Sequence, residues 1–525
     1  MKVLVSDPIA EEGIARLQQG AEVDVKTKLS VEELCAEIGN YDALVVRSQT
    51  KVTADIIECG KNLRVIGRAG VGVDNIDVDA ATRHGIVVVN APSGNTISAA
   101  EHTMALMLSL ARNVSQGDSQ LRNGVWARGK LTGTELRGKT LGIVGLGNIG
   151  RQVATRAQSF EMKTIGYDPF VSADFAKSFK VQLTDLEDLF RQSDFITLHI
   201  PLSPATKNLI GKEQIGMMKP TVRIVNCARG GVVDEAAVAE ALANERIAGA
   251  AFDVFVSEPP TDSPLLSNPK TVLTPHLGAS TVEAQTNVAV DVAGEVLTVL
   301  DGRMSRSAVN APHASPELMP YLQMSMTIGS FASQLMDGQI RKVSARYCGD
   351  LAATNCDPLK AAVIAGVLQQ VTEERVNIVN ADLVAQQRGL RVAEENETAC
   401  GNYSNMVTVT VESDSGTSTV SGTVRDSEVR VVQVNDFWMD LNLEDGHYVL
   451  CDHVDGPGLV GTIGTILGRA GINISSMNLS RVEKRGRALL IMALDEALGE
   501  AQRAEILAIP NIHTAKPVSL GSRTP

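Results

Sequence analysis

The sequence predicts an α/β protein: a doubly wound, Rossmann-type parallel sheet set in a smaller α/β lobe, with two α+β units behind it. Three observations carry that reading. Short apolar runs alternate with helical segments as far as Leu300, a GxGxxG turn stands between a strand and a helix, and residues 446–525 run strand, helix, strand, strand, helix, strand. A chain of 525 residues also exceeds one hydrophobic core, and roughly 150 residues per domain implies three or four units.

The first series of apolar runs is Val3–Val5, Ala43–Val46, Leu63–Gly67 and Ile86–Val89, with helical segments such as Ser30–Ile38 between them. Strands separated by helix-length crossovers pair in parallel. The second series is denser: Leu141–Val144, Lys163–Tyr167, Phe195–Leu198, Val222–Val225, Ala248–Phe252 and Thr271–Leu273. These six strands suit a doubly wound sheet. Ile97–Leu110 and Val282–Leu300 have the length and pattern of two long helices joining the lobes. Asn310–Pro320, with Ala311-Pro312 and Ser315-Pro316, reads as a linker. Met406–Val424 alternates Val and Thr with Ser and Gly, as exposed hairpins do, and Asp445-Gly446 marks a turn. The last unit is strand Tyr448–Cys451, helix Leu459–Arg469, strands Ile472–Leu479 and Ala488–Leu494, helix Glu496–Ile509 and strand Ile512–Lys516, a ferredoxin-like order.

Composition excludes some functions. A net charge of −13 opposes nonspecific attraction to nucleic acid or anionic membranes, and 3% aromatic residues leave little for base stacking. Any anionic ligand must therefore be held by local positive groups. Seven scattered cysteines form no CxxC pair and no metal-ligand spacing, so reduced thiols, a cytoplasmic location and no metal are expected. The N-terminal segment lacks a signal-peptide apolar region, and no stretch has the length of a membrane span.

The cofactor reading starts at the first strand of the second series. It leads into Gly145-Leu146-Gly147-Asn148-Ile149-Gly150 and then a helical run from Arg151 to Phe160. The first glycine permits the tight turn, the second lets backbone approach a pyrophosphate, and the third packs helix against strand, with the phosphates at the helix N-terminus. Asp168 ends the next strand, where its carboxylate can accept both ribose hydroxyls and repel a 2′-phosphate. NAD is thus expected rather than NADP.

Open α/β sheets bind ligands beyond the carboxyl ends of their strands, which directs attention to Arg229, Glu258 and His276. Moving a hydride from an alcohol needs a base for the hydroxyl proton, and imidazole is poised for that near neutrality. Glu258 would orient the His276 ring, and Arg229 would grip a substrate carboxylate with a fixed fork of donors. Histidines after strands are more often structural, however, and His199 also follows a strand, so position alone does not choose between it and His276.

Three segments settle the comparison. Cys227-Ala228-Arg229-Gly230-Gly231, Asp253-Val254-Phe255 leading into Glu258-Pro259-Pro260, and Thr274-Pro275-His276-Leu277-Gly278-Ala279 resemble the signatures of D-isomer-specific 2-hydroxyacid dehydrogenases. The resemblance implies NAD-dependent transfer of hydride from a small 2-hydroxy acid, with Arg229, Glu258 and His276 as the catalytic trio. It further implies cofactor contacts from Gly145, Gly147, Asn148, Ile149, Gly150, Asp168, Ile200, Cys227, Ala228, Arg229, Asp253, His276, Gly278 and Ala279.

In the first lobe Arg47 and Arg68 each follow a strand, and two such forks suit a second anion such as phosphate, while Gly70 and Val71 amides could hold a carboxylate. Arg68-Ala69-Gly70-Val71-Gly72 and Asn90-Ala91-Pro92-Ser93-Gly94-Asn95 are similar to members of the family that act on 3-phosphoglycerate and yield 3-phosphohydroxypyruvate. That likeness places Arg47, Arg68, Gly70, Val71 and Asn95 at the substrate.

It also spans the whole chain, and implies a flavodoxin-like substrate domain at 1–96 and 285–310, a Rossmann NAD domain at 97–284, an intermediate domain at 315–445 and an ACT domain at 446–525. Asp455-Gly456-Pro457-Gly458 and Ala470-Gly471-Ile472-Asn473 resemble ACT effector loops, which makes His453, Asp455 and Asn473 candidate contacts for inhibitory L-serine. The alternative for that unit is a purely dimerising module. A homo-oligomer, dimer or tetramer, is expected. Competing readings of the whole are a dehydrogenase of another D-2-hydroxy acid, such as 2-hydroxyglutarate or glycerate, and an NAD(H)-sensing protein without turnover.

Overall fold

The computed structural model describes residues 1–372, 374–426 and 428–521. The end of the expected last unit, 522–525, and positions 373 and 427 of the unit before it lie outside the described residues.

Five parallel strands form the first sheet: β1 (Lys2–Val5), β2 (Glu22–Val25), β3 (Ala43–Val46), β4 (Val65–Arg68) and β5 (Val87–Val89), in the flavodoxin-like order β2-β1-β3-β4-β5. The central strand β3 is buried on both faces, as a run of Ala, Leu and Val dictates. Strand β2 is an edge that sequence reading missed, because Glu-Val-Asp-Val carries charge at alternate positions and buries none of its residues fully. The helix Val31–Ile38 begins where Ser30 accepts a hydrogen bond from the Glu33 N–H while the Glu33 carboxylate accepts one from the Ser30 N–H.

The second sheet has seven parallel strands rather than six: β6 (Thr140–Val144), β7 (Lys163–Tyr167), β8 (Gln182–Leu183), β9 (Phe195–Leu198), β10 (Arg223–Asn226), β11 (Gly249–Phe252) and β12 (Thr271–Leu273). The extra strand, β8, spans two residues, too few to show a period. The order β12-β11-β10-β9-β6-β7-β8 reverses between β6 and β9, which opens a crevice at the carboxyl ends there.

Two long helices frame that crevice. Thr96–Arg112 buries Ala100, Met104 and Met107 among Leu141, Val225 and Ala251 of the second sheet. Val282–Leu300 returns to the first sheet, burying Val288, Val292 and Val296 beside Val3, Val45 and Val65. Gly67 lies so near this helix that a Cβ would come within 2.6 Å of Val296 Cγ2. The two helices start side by side, joined by a 2.7 Å hydrogen bond between the Ser98 and Thr281 hydroxyls.

The third sheet contains β13 (Ile340–Gly349), β14 (Arg391–Glu397), β15 (Asn405–Ser413), β16 (Gly416–Arg425), β17 (Glu428–Val434) and β18 (Phe437–Asn442), in the order β14-β13-β15-β16-β17-β18. Alternation in β15 sends Val407, Val409 and Val411 into the core, so this is a half-buried hairpin and not an exposed one. The helix Met319–Gln334 packs on the sheet, and its start corrects the linker: Pro320 stands in the first turn, where no N–H is needed.

The fourth sheet, β19 (Gly446–Val454), β20 (Ile474–Arg481), β21 (Arg487–Leu494) and β22 (Ile512–Leu520), is antiparallel in the order β20-β21-β19-β22, as a ferredoxin-like unit requires. Its second helix is Glu500–Leu507, shorter than Glu496–Ile509. The helices Leu459–Arg469 and Glu500–Leu507 contribute Ile463, Leu467 and Ile506 to the core on one face. On the other face Tyr448, Leu450 and Val518 share a core with Phe331 of Met319–Gln334, so third and fourth sheets are welded by one helix.

The cysteines depart from expectation. Cys35 and Cys59 form a disulfide between two helices of the first lobe, Cα atoms 5.4 Å apart, a tertiary juxtaposition that a spacing of 24 residues does not disclose. Cys227, Cys348, Cys356, Cys400 and Cys451 are free. Among the described residues no helix is long and apolar enough to cross a membrane.

Candidate active site

The glycine turn leaves β6 with Gly145 at φ +93°, a conformation that excludes most side chains. A Cβ on Gly150 would sit 2.0 Å from the Gly145 carbonyl oxygen, so helix and strand touch there through backbone. At Gly147, which opens the helix Asn148–Ser159, a Cβ would meet nothing within 4 Å, and this open side is where a pyrophosphate can approach. Asp168, at the end of β7, accepts hydrogen bonds from the Leu146 N–H at 2.9 Å and the Phe170 N–H at 2.9 Å, which fixes its carboxylate over the same turn. Ile200 packs against Gly145 from the end of β9. The donors, the open glycine and the acid therefore fit a dinucleotide without a 2′-phosphate.

Beyond β11 and β12 two members of the expected trio, Glu258 and His276, meet. The His276 Nδ1 lies 2.8 Å from Glu258 Oε2, and the other Glu258 oxygen accepts from the Phe255 N–H at 3.1 Å. With Nδ1 engaged, Nε2 is the ring atom left for substrate. His276 itself has φ +54° and is held by its backbone N–H on the Asp253 carbonyl at 2.9 Å. His199, by contrast, faces Thr197 at 3.0 Å and is driven by burial to a pKa of about 3, so it is a neutral interior residue.

Asp253 has a part beyond cofactor contact. Its buried carboxylate accepts from the Leu277 and Gly278 N–H groups at 2.7 and 2.8 Å, from Thr274 at 2.6 Å and from His102 at 3.1 Å. Burial alone would raise this carboxyl, but the bonds from His102, Thr274 and Leu277 outweigh it and leave the pKa below its ordinary value. Asp253 thus staples the turn carrying His276, Gly278 and Ala279. Asn226 does the same for the preceding turn, accepting from the Ala228 N–H at 3.0 Å and donating to the Arg229 carbonyl at 3.1 Å. Cys227, beside it, is pushed up to about 12 by burial.

The two lobes meet at Arg229. Its Nε is 3.4 Å from Asp74, and a Cβ on Gly72 would strike its guanidinium at 2.3 Å, so the loop after β4 lies directly against it. Gly70 and Val71 belong to that loop, held by the Ala91 N–H on the Gly70 carbonyl at 3.0 Å and by Asn90 on the Val71 carbonyl at 2.6 Å. Arg68 folds back beneath Gly70, and its buried Nε has no hydrogen-bond partner among the described residues. Burial, then the nearby Arg229 and Arg47, push this guanidinium down to about 10. The Arg47 guanidinium makes a 3.5 Å bond to the Pro8 carbonyl, while Asp7 fixes its loop by accepting from the Arg47, Gln49 and Thr50 N–H groups. Asn95 adds a buried, unpartnered Oδ1 at the start of Thr96–Arg112.

Sequence reading missed Asp7, Asp74, His102 and Asn226. Asp7 and Asp74 follow β1 and β4, so the strand-end rule could have found them. His102 is on a helix and reaches Asp253 only through the fold.

The expected effector residues do not converge within one chain. His453, paired with Ala488, stands near the end of β19, and Asp455 follows that strand with its N–H on the Gly486 carbonyl at 2.8 Å; His453 is buried with Nδ1 3.0 Å from the Cys451 carbonyl, and Asp455 accepts from Arg481 at 3.0 Å. Asn473 is at the opposite end, bonded to Asp495 at 2.7 Å. At ~3.3 Å per strand residue the separation is on the order of 20 Å.

Comparison with known proteins matches residues 104–278 to the D-isomer specific 2-hydroxyacid dehydrogenase NAD binding domain, 317–435 to the D-3-phosphoglycerate dehydrogenase intervening domain, and 447–508 to the ACT domain. The chain is 46% identical over 526 residues to D-3-phosphoglycerate dehydrogenase of Synechocystis sp., covering 99% of this chain and 95% of that one. It is 43% identical to the enzyme of the same name from Methanocaldococcus jannaschii, covering 99% and 100%. A D-lactate dehydrogenase structure from Aquifex aeolicus, complexed with NAD and lactic acid, superposes with TM-score 0.52 at 26% identity, over 57% of this chain and 96% of that one.

Proposed function

The chain belongs to the D-3-phosphoglycerate dehydrogenase family, and from that premise we propose how its residues oxidise 3-phospho-D-glycerate to 3-phosphohydroxypyruvate, the reaction that opens the phosphorylated route to L-serine. NAD supplies the hydride acceptor. The Gly145–Gly150 turn, with the Asn148 and Ile149 amides, holds its pyrophosphate, Asp168 its ribose, and Ile200, Cys227, Ala228, Asp253, Gly278 and Ala279 surround the nicotinamide end. His276 Nε2 takes the proton of the 2-hydroxyl, and Glu258 keeps the ring turned and stabilises the imidazolium that forms. Arg229 exchanges Asp74 for the substrate carboxylate, assisted by Gly70, Val71 and Asn95, and polarises the forming carbonyl.

The observation that carries the choice of substrate is Arg68: a part-buried guanidinium whose buried Nε has no partner among the described residues, crowded by Arg47 and Arg229. Three clustered cations match a ligand with two anionic ends, a carboxylate for Arg229 and a phosphate for Arg68 and Arg47. In Arg68→Gln and Arg47→Gln, kcat/KM for 3-phosphohydroxypyruvate is expected to fall about tenfold to a hundredfold, the scale of a charge-assisted hydrogen bond, with little change on unphosphorylated hydroxypyruvate. Equal losses on both would contradict the assignment.

We further propose that the chain works as a homo-oligomer and that L-serine bound to the ACT unit slows it. Because His453 and Asp455 lie far from Asn473 in one chain, a shared serine site draws on two copies. Inhibition by serine should then weaken as dilution separates copies. Undiminished inhibition of the separated chain would refute a shared site. Five free thiols suit a cytoplasmic location, against which the Cys35–Cys59 disulfide weighs.

A further inference from the structure

A cavity of about 910 Å³ lies between the first lobe and the unit built on the third sheet, and no member of the trio lines it. Its walls are the start of β4, β5, the end of Val282–Leu300 with the segment after it, the helix Met319–Gln334 and the turn at 375–378. That turn clasps the first lobe directly: Arg375 donates to the Leu63 carbonyl at 2.5 Å and Asn377 to the Gly85 carbonyl at 2.7 Å.

The lining has two characters. Arg64, Arg303, Arg306 and Arg375 supply four cations, against one carboxylate, Glu295, which is engaged by the Ser305 hydroxyl at 2.5 Å. Among the described residues, only Arg303 of the four has a carboxylate partner, Asp301 at 2.9 Å. Arg375 is held below its usual pKa by burial and then by the like charge of Arg64, with Asp42 pulling the other way. The rest of the wall is largely apolar, including Val87, Met319, Leu322, Met326, Val376 and Ile378.

We propose that this cavity is a binding site for an amphipathic organic anion, a carboxylate or phosphate head on an acyl or aryl body, with the head between Arg64 and Arg375. The volume is that of a site for a ligand of some tens of atoms, whose apolar body a small polar hydroxy acid lacks. A head bridging Arg64 of the first lobe and Arg375 of the third-sheet unit replaces repulsion by paired charge-assisted bonds. It also tightens the clasp at Leu63, two residues before the strand whose far end carries Arg68. The ligand thereby connects this cavity to the substrate cluster.

Decanoate, added to the full chain below its micellar range and followed by isothermal titration calorimetry, tests the site, with acetate and decanol as head-only and tail-only probes. Saturable binding of one decanoate per chain is expected, at least tenfold tighter than either control. Arg64→Gln, which leaves both clasp bonds intact, and Gln323→Trp, which fills the cavity from an exposed helix position, should each weaken it at least tenfold while leaving NADH binding unchanged. Absence of saturable binding, or binding that neither variant alters, overturns the proposal.

Discussion

His276 and Glu258 form the contact on which the proposed proton transfer rests, and His276 is the most direct residue to remove. His276→Ala is expected to lower kcat by about 10²–10⁴-fold, the usual contribution of a general acid–base group, with NADH affinity changed far less. Stopped-flow NADH binding beside steady-state turnover separates the two, and equal losses would exclude the role. Asp253 acts one step further out. Replacing it with Asn removes the charge and turns one of its two accepting oxygens into a donor, and should cost about 1–3 kcal/mol of stability near pH 7. Since its folded pKa lies below the unfolded value of about 3.9, that stabilisation is complete above the ordinary carboxylate range and fades as pH falls through the folded pKa. Urea midpoints of wild type and variant should therefore converge only well below about pH 4; a gap unchanged with pH would assign the stabilisation to another group. Cys227, with its thiol near 12, should resist iodoacetamide at neutral pH in the folded chain, and rapid labelling would show that it is not buried as described.

At the scale of elements, the glycine turn separates folding from binding. Gly150→Ala drives a Cβ into the Gly145 carbonyl and should lower Tm markedly, whereas Gly147→Val meets open space and should leave Tm nearly unchanged while weakening NADH at least tenfold. Losses of Tm in both would mean that Gly147 is structural. What was legible in the sequence at this scale follows from period and chemistry. The strands flanking the glycine turn and the helix Val282–Leu300 announce themselves because each buries a continuous apolar set. Edge strands β2 and β8 do not, being charged or two residues long, and the helix Glu500–Leu507 starts late because Gly499 sits where Glu496–Leu498 seemed to continue it.

Over the whole molecule, the GxGxxG turn and the meeting of His276 with Glu258 could be read from order along the chain, since strand ends in a doubly wound sheet converge by topology. Contacts between elements remote in sequence, within a lobe or between lobes, could not. Arg229 against Asp74 and Gly72, Asp253 against His102, and the Arg375 clasp on Leu63 join residues whose separation carries no periodic signal. The separation of Asn473 from His453 likewise appears only once β19 and β21 are placed side by side. The central claim is that these pieces make an oxidoreductase for a phosphorylated 2-hydroxy acid. The measurement that reaches it most directly is NADH oxidation by the purified full chain with 3-phosphohydroxypyruvate, beside hydroxypyruvate and 2-oxoglutarate. A kcat/KM at least a hundredfold higher for the phosphorylated acid is the expected result; a preference for either unphosphorylated acid would contradict it.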